Sequence, residues 1–266
     1  MTNFHRMFGA ALMGAAIVCV SAPAMAEDAA LKAAASGAWR APENAARDQY
    51  RHPVEALTFW GLKPGMTVVD VNPGNKGWWT EILAPYAKAT GGAYVAAVGN
   101  VANYSAGDPA IMGDVKAYTL SPTVNEVPAG SVDMVLVARY FHNWARQDGT
   151  TDAYMSAFNT MLKPGGILAV EQHRAPEGSD PKAGTGYVPE SYVIEAAKKA
   201  GFELVAKSEI NANPKDTKDH PFGVWTLKPI RTSAARGQEP AADFDRAKYD
   251  AIGESDRMTL KFKKVK

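Results

Sequence analysis

Two histidines and a glutamate stand directly after two apolar runs of strand length, where side chains are free to do chemistry. His142 lies in RYFHNW, which follows VDMVLVA, and Glu171 and His173 lie in EQHRA, which follows GILAV. Ligands of an open parallel sheet bind outside the carboxyl ends of its strands, so we expect these side chains to lie close together. Each could accept a proton from a reacting nucleophile. His142, His173 and Glu171 are therefore the predicted catalytic residues.

Other roles are open for the same residues. A histidine after a strand often satisfies a loop carbonyl, which would make it structural. A metal site built from His142, His173 and Glu171 is a second alternative, but their spacing is not that of a recognised ligand set, and we predict no bound metal. A hydrolase that uses the histidines is disfavoured, because the chain has no G-x-S-x-G elbow.

A second candidate for chemistry is the stretch VVDVNPGNKGWW at 68–79, which has the layout of a strand that runs into a nucleotide-holding glycine loop. Asn72 and Lys76 stand where glycines are expected, whereas Gly74 and Gly77 remain. Asparagine is the best substitute for glycine at positive φ, so Asn72 suits the tight turn. The ammonium of Lys76 suits the loop only if its long stem turns outward to solvent.

These residues need a sheet that brings strand ends to one edge. The apolar runs TVVDV, AYVAAV, VDMVLVA and GILAV alternate with helical patterns along the chain. Strands that are apolar almost throughout indicate a sheet covered on both faces. We therefore predict an α/β, doubly wound, mostly parallel sheet. A short helix bounded by Pro53 and Gly61 is predicted to precede the first strand.

The end of the chain has a different pattern. Met258, Leu260 and Phe262 alternate with polar residues in the two-residue period of a half-exposed strand. We predict that RMTLKFKKV and FELVAKSEI form an antiparallel pair at the sheet edge. The polar segment 211–256 between them carries Trp225, and a connection of this length is usually a lid or disordered. We expect part of this segment to cover the histidines.

The first 26 residues have the layout of a signal peptide. Arg6 precedes an apolar run from Phe8 to Val20, and Ala24 and Ala26 form an A-x-A cleavage signal. The apolar run is too short for a stable membrane anchor. We therefore expect cleavage after Ala26 and an exported protein, either periplasmic or secreted.

Composition narrows the possible functions. Cys19 is the only cysteine and lies inside the predicted signal peptide, so a mature chain would have no thiol nucleophile and no disulfide. The formal net charge is +1, and removal of the peptide with Arg6 brings it to about zero. A neutral surface gives no field that favours nucleic acid or an anionic membrane, so we expect neither as a partner.

Four stretches resemble a group of exported bacterial proteins among the class I S-adenosylmethionine-dependent methyltransferases. They are RDQYRHPVEALTFWGLKPGMTVVDVNPGNKGWWTEILAPY, RYFHNW, MLKPGGILAVEQHRA and ESDRMTLKFKK. The resemblance covers most of the mature chain apart from the segment before the last strand. It implies a seven-stranded Rossmann-like methyltransferase sheet with an antiparallel final strand. It also implies S-adenosylmethionine as cofactor and methyl transfer to an unknown small molecule.

The same resemblance divides the chain. It implies a signal peptide at 1–26, an N-terminal helical leader at 27–62, and a methyltransferase-like domain at 63–266. The long segment at about 211–256 is then an insert in that domain.

In that family, the loop after the first strand has an acid at the strand end and three spaced glycines that meet the methionine part of the cofactor. Asp70 matches the acid and Gly74 the middle glycine. Asn100 stands near the end of the second strand, where a carboxylate usually accepts the ribose hydroxyls, and its amide is a weaker acceptor. The residues that the resemblance assigns to the cofactor are Asp70, Asn72, Gly74, Gly77, Asn100 and Tyr140.

Large side chains near these motifs have two interpretations. Trp78, Trp79 and Trp144 could form aromatic walls for a cationic sulfonium, although large aromatics more often belong to the core. The run Tyr50 to His52 precedes a helix that in related folds closes over the cofactor. A solvated helix cap is the simpler interpretation of that run.

A catalytically inactive binding or scaffold protein is the competing hypothesis, since a fold does not determine a function. Asn72 with Lys76, the missing ribose acid near Asn100, and an exported location where the cofactor is not made all favour it. Asp70 and Gly74, together with the RYFHNW and EQHRA runs, favour the enzyme.

Overall fold

The computed structural model describes residues 28–74 and 77–265, so the predicted signal peptide and Lys76 lie outside the described residues. A sheet with the strand order β3-β2-β1-β4-β5-β8-β7 runs through the protein, and a short β6 pairs with the end of β5. The strands are β1 Thr67–Val71, β2 Ala93–Val98, β3 Lys116–Thr119, β4 Val132–Ala138, β5 Leu162–Ala175, β6 Val188–Pro189, β7 Phe202–Ser208 and β8 Arg257–Lys264. This is the predicted seven-stranded order with one small addition.

Helices lie on both faces of this sheet. They are α1 Ala29–Ala35, α2 Pro42–Ala45, α3 Asp48–Arg51, α4 Pro53–Trp60, α5 Thr80–Thr90, α6 Pro109–Met112, α7 Phe141–Ala145, α8 Thr150–Met161, α9 Glu190–Lys199 and α10 Arg246–Ile252. Short 3₁₀ turns occur at Val101–Asn103 and Gly223–Thr226. Within 28–74 and 77–265, no helix is long and apolar enough to cross a membrane.

The strand residues alternate between two buried cores, one on each face. Val69 and Val71 pack in the core that contains α8, whereas Val68 packs with α5 and the N-terminal helices. Every second residue of a strand points to the same face, so a strand buried on both sides is apolar almost throughout. The prediction of a sheet covered on both faces is confirmed.

The carboxyl ends of the central strands meet at one edge, which positions the site. β1 pairs in parallel with both β2 and β4, so the strand order reverses beside β1. β4 pairs in parallel with β5, with Ala138 opposite Glu171. The loops after β1, β4 and β5 therefore leave the sheet side by side, as open parallel sheets require.

The helix before β1 has the predicted ends. Pro53 is its first residue, and Gly61 closes it at φ 88°, a left-handed conformation that glycine adopts without steric cost. The indole nitrogen of Trp60 donates to the carbonyl of Leu260 in β8, at 3.0 Å. This contact packs α4 against β8, the last strand, and helps to bury a strand predicted to be half-exposed.

The final antiparallel pair forms as predicted, but its placement and exposure differ. β8 lies between β5 and β7, so of these last two strands only β7 is at an edge of the sheet. Thr259, predicted to be half-exposed, is fully buried. Its hydroxyl accepts from the amide of Asn211 at 3.1 Å. The polar face of β8 is covered at Thr259, where α4 and the chain around Asn211 pack over it, whereas Lys263 at the other end is exposed as predicted.

The 211–256 segment is ordered chain that contains α10 and a 3₁₀ turn. Asp216 is its anchor: the carboxylate contacts His220 Nε2 at 2.7 Å and accepts from the Tyr187 hydroxyl at 3.0 Å. The backbone amide of Asp256 donates to the same carboxylate at 2.7 Å. Asp216 and His220 are both buried, so these bonds fasten the segment over the carboxyl edge of the sheet.

Candidate functional site

The loop after β1 takes the backbone shape expected of a glycine loop. Asn72, Gly74 and Gly77 have φ angles of 51°, 73° and 54°. The amide of Asn72 donates to the carbonyl of Ala97 in β2 at 2.9 Å, which holds the turn against the sheet. The interpretation of Asn72 as a substitute for glycine at positive φ is therefore confirmed.

Among the described residues, the middle of this loop has free space above it. A Cβ atom built on Gly74 would meet no heavy atom of residues 28–74 and 77–265 within 4 Å, whereas one on Gly77 would lie 3.3 Å from Cβ of Thr80. Gly77 is thus needed for the approach of α5, and Gly74 leaves room on the outer side. This division matches the roles that glycines have in nucleotide loops.

Asp70 is buried beneath the loop rather than open to solvent. Its carboxylate accepts from the Tyr94 hydroxyl at 3.0 Å, and that hydroxyl lies 2.7 Å from Oγ1 of Thr80. Burial raises the pKa of Asp70 to about 7, although the Tyr94 hydrogen bond and the positive charge of Arg139 oppose the rise. Asp70 is therefore linked to α5 only through Tyr94 of β2, and its contact with a cofactor stays a prediction.

Two further residues assigned to the cofactor lie at neighbouring positions on the same edge. Asn100 is exposed, and its Oδ1 accepts from the amide of Ala102 at 3.0 Å, so this oxygen caps the following 3₁₀ turn. Tyr140 precedes α7 and is half-buried, with its ring 5.6 Å from that of Trp144. Both assignments stay predictions, and Asn100 would offer a ribose mainly its amide nitrogen.

The two predicted histidines converge. The ring centroids of His142 and His173 are 5.8 Å apart, although one histidine lies on α7 and the other on β5. Nδ1 of His142 lies 3.4 Å from the amide nitrogen of Gln172, and Nδ1 of His173 lies 2.5 Å from the Ser255 hydroxyl. The geometric prediction that right-handed crossovers bring these side chains to one place is confirmed.

The 211–256 segment covers this pair. The Trp225 ring contacts the His142 ring edge-on at 5.7 Å between centroids. Ser255 at the other end of the segment bonds to His173. Water is thus excluded from one side of both imidazoles, which is what the expectation of a covering segment required.

Both histidines are neutral at pH 7. Burial lowers the pKa of His142 to about 4, and the charge of Arg146 adds to this effect. Burial also lowers the pKa of His173 well below its ordinary value, with contributions from His142 and Arg139. A neutral imidazole can accept a proton, so the pair has the protonation state that a general base needs.

Glu171, the third predicted catalytic residue, has a different environment. It is fully buried, and its Oε1 lies 2.7 Å from Nη1 of Arg257 in an ion pair without hydrogen-bond geometry. Glu171 is therefore the ion-pair partner of Arg257, and its catalytic role stays a prediction. A metal cluster has no support either: within the described ranges, no three His, Cys, Asp or Glu side chains are grouped to hold an ion.

A buried ionic network surrounds Glu254, and the sequence pattern did not indicate it. Glu254 contacts Nε of Arg47 at 2.6 Å, Nε of Arg51 at 2.9 Å and Nη1 of Arg257 at 3.2 Å. Arg51 and Glu254 are 203 positions apart along the chain. Contacts of this span leave no periodic signal in a sequence, so only the fold reveals them.

Arg51 corrects the interpretation of the run Tyr50 to His52 as a solvated cap. Its side chain is fully buried, with the guanidinium carbon 4.8 Å from the ring centroid of Trp78. Both terminal nitrogens, Nη1 and Nη2, have no hydrogen-bond partner among the described residues. Trp78 follows Gly77 directly, so these free donors lie close to the glycine loop.

Arg139 is the residue at this edge that sequence reasoning overlooked. It directly follows β4 and has φ 60°, a left-handed conformation that is uncommon for arginine. Its amide donates to the carbonyl of Glu171 at 2.6 Å. Its positive charge lowers the pKa of Asp70, His142 and His173. The signal was its place as the first residue after a strand, at the start of RYFHNW.

The tryptophans belong to the core. Trp78 and Trp79 are each 3% exposed, and Trp144 is 2% exposed and stacks on Tyr154 with centroids 4.3 Å apart. The expectation that Trp144 lines the ligand cavity is therefore wrong, since α7 turns it toward α8. Trp225 from the covering segment is the aromatic side chain that meets the histidines.

Known structures share this fold. A candidate sarcosine dimethylglycine methyltransferase from Galdieria sulphuraria matches with a TM-score of 0.56 and 13% identity, over 84% of this chain and 87% of that one. A Burkholderia thailandensis 1,6-didemethyltoxoflavin N1-methyltransferase, solved with S-adenosylhomocysteine, matches with a TM-score of 0.50 and 11% identity, over 90% and 80%. The [4+2]-cyclase SpnF matches with a TM-score of 0.54 and 14% identity, over 80% of each chain.

No protein-family model and no curated protein matches the chain. At these identities the likeness concerns the fold. The chain has the Rossmann-like fold of the class I S-adenosylmethionine-dependent methyltransferases, with the antiparallel strands at its C-terminal end.

Proposed function

We propose that this protein is a methyltransferase that uses S-adenosylmethionine and acts on a small molecule. The loop after β1 is the observation that carries the proposal. It holds Asn72, Gly74 and Gly77 at positive φ, at the point where the strand order reverses, with free space above Gly74. Ligands of such sheets bind at this point. The Burkholderia protein, which shares the fold, was solved with the demethylated cofactor.

The residues around the loop fit that cofactor. The space above Gly74 is where its methionine part would approach the backbone. The side chain of Arg51 lies over Trp78, which directly follows the loop, but it is fully buried and paired with Glu254, so we assign it no contact with the cofactor. Asn100 is the weaker part of the fit, because its amide lacks the charge that strengthens a hydrogen bond to a ribose.

When bound, S-adenosylmethionine supplies an electrophilic methyl group. His142 and His173, both neutral at pH 7, would accept the proton that the acceptor loses. Trp225 and its segment would exclude water from the imidazoles. Most of the rate enhancement would come from holding the acceptor in line, which can lower a barrier by about 7–11 kcal/mol in favourable cases.

Calorimetric titration with S-adenosylhomocysteine tests the proposal, with a matched pair of glycine variants. Gly74→Ala places a methyl group in the space above the loop and is expected to weaken binding roughly tenfold or more. Gly65→Ala is the control, because Gly65 has φ 81° and equally free surroundings but precedes β1 at the other end of the strand. Both changes strain the backbone by about 1–2 kcal/mol.

The outcomes are distinct. Loss of binding in Gly74→Ala with retention in Gly65→Ala supports a cofactor above the loop. Equal binding by both variants contradicts it. A wild-type protein that gives neither heat nor a thermal shift at millimolar ligand removes the cofactor proposal altogether.

A binding or scaffold protein without methyl transfer is the second candidate. The capped oxygen of Asn100 favours it, since no ionised acid is present at that position for a ribose. The fold also serves proteins whose reaction is not named as methyl transfer, such as the [4+2]-cyclase SpnF. The comparison of Gly74→Ala with Gly65→Ala separates the two candidates. Gly74→Ala should weaken ligand binding more than Gly65→Ala only if the cofactor binds above the loop.

We also propose that the protein is exported, with cleavage after Ala26. Ala24 and Ala26 are small residues at the positions that the signal peptidase must accommodate. N-terminal sequencing of protein from the cell exterior or periplasm should find a chain that begins at Glu27. A mature chain that begins at Met1 would refute the proposal.

A further inference from the structure

Arg139 holds a strained backbone position. A non-glycine residue at φ 60° costs free energy, and such residues collect where function demands a particular side-chain direction. The amide bond to the Glu171 carbonyl fixes Arg139 against β5. Its side chain is half-buried, so a ligand can still reach it. The fold therefore directs a guanidinium into the edge where β4 and β5 end.

This guanidinium lacks the partners that its neighbours have. Arg47, Arg51 and Arg257 all form ion pairs with Glu254. No ion pair involves Arg139 within the ranges 28–74 and 77–265, and its Nε is buried without a hydrogen-bond partner there. Buried polar groups are nearly always satisfied, so an arginine in this state indicates a ligand or ordered water.

The charges around it favour an anion. The network contains four guanidinium groups and two carboxylates, so two positive charges remain uncompensated. The guanidinium groups are those of Arg47, Arg51, Arg139 and Arg257, and the carboxylates are those of Glu171 and Glu254. Asp70, whose pKa burial raises to about 7, offsets this excess only in part. An excess of one sign in a cleft attracts ligands of the other sign.

We propose that the small-molecule acceptor carries a carboxylate and that Arg139 binds this group beside the histidine pair. A single free guanidinium fork matches the two oxygens of one carboxylate. The neutral imidazoles of His142 and His173 match an uncharged nucleophile that gives up a proton. The inference deepens the proposed methyl transfer by naming the substrate class, but carboxylate binding at Arg139 does not need the cofactor.

The test uses benzoate and its uncharged analogue benzamide as probes, measured by calorimetry and thermal shift on the whole mature protein, with and without S-adenosylhomocysteine. Four proteins are compared: wild type, Arg139→Gln, Arg139→Lys and Arg146→Gln. Arg146 is the matched control, since its charge also acts on His142 but its side chain is exposed and lies over the Trp225 ring. Inorganic phosphate is run as a third probe.

The expected result is binding of benzoate but not benzamide to the wild type, weakened roughly tenfold or more in Arg139→Gln. Arg139→Lys should recover part of the affinity, because it keeps the charge and loses the fork. Arg146→Gln should bind benzoate within about twofold of the wild type. This pattern, in the absence of S-adenosylhomocysteine, supports the inference even if cofactor binding fails.

Three results would overturn the inference. One is that the wild type binds benzoate and benzamide equally, or binds neither of them. Another is an equal loss of benzoate affinity in Arg139→Gln and Arg146→Gln, which would indicate a diffuse field rather than a contact. The last is a thermal shift with phosphate but none with benzoate. Unfolding midpoints of the apo variants distinguish loss of the fold from loss of the site.

Discussion

The two ends of the candidate site, the loop after β1 and the edge after β4 and β5, respond to burial in opposite ways. At the first, burial raises the pKa of Asp70 to about 7. At the second, burial lowers the pKa of His142 to about 4. The cause is the same, since a low-dielectric surrounding disfavours whichever form is charged. The result is a carboxyl group that titrates near pH 7 at one end and an imidazole that is neutral at that pH at the other.

The two ends also differ in how they are held. Local contacts hold the loop end: Tyr94 bonds both Asp70 and Thr80, and all three lie within a short stretch of chain. The other end depends on Glu254, which ties Arg51 across 203 positions. The loop end is thus held by residues close together in the chain, whereas the arginine network joins segments that are far apart in it. Each of the following predictions breaks or sharpens this contrast.

The largest effect is expected from Glu254→Gln. The change removes the carboxylate that faces Arg47, Arg51 and Arg257, and breaking a buried ion pair from one side costs about 3–5 kcal/mol. Urea unfolding of the variant should show this loss in the free energy of unfolding.

The control for that change is Asp152→Asn, which removes an exposed pair with Lys199. Exposed pairs contribute little, so its free energy of unfolding should stay within about 0.5 kcal/mol of the wild type. A Glu254→Gln protein as stable as this control would mean that the network does not hold the edge together.

A smaller effect with a clear sign is expected from Asp70→Asn. The folded pKa of Asp70, about 7, exceeds the unfolded value of 3.8, so the folded state binds the proton more tightly between these pH values. The contribution of Asp70 to the free energy of unfolding therefore falls as pH rises, by roughly 4 kcal/mol between the unfolded and the folded pKa. Relative to the wild type, Asp70→Asn should become steadily more stable from pH 4 to pH 7. A pH-independent difference in urea unfolding would contradict the raised pKa.

The smallest expected effect has the opposite sign. The folded pKa of His142, about 4, lies below the unfolded value of 6.5, so the unfolded state binds more protons between them. Stability from neutral His142 is lost as pH falls through this window, by roughly 3 kcal/mol. His142→Gln should therefore gain stability relative to the wild type as pH falls from 6.5 to 4. Parallel curves for variant and wild type would place His142 in water rather than under Trp225.

Local and topological features could be predicted from the sequence. The ends of the first long helix at Pro53 and Gly61 follow from caps that act on their own backbone. The convergence of His142 and His173 follows from parallel strands whose ends must meet at one edge. Asn72 at positive φ follows from the loop pattern. Each of these rests on a few neighbouring residues or on a general rule of sheet topology.

The sequence by itself therefore determined the class of fold and the convergence of His142 and His173 at the carboxyl edge of the sheet. Tertiary structure alone decided the roles of the charged residues. Glu171 became the partner of Arg257, Arg51 became buried, and Arg139 was left without an ion pair among the described residues. The physical reason is that a charge takes its role from its nearest opposite charge and from its exposure to water. Both depend on which distant segments the fold brings together.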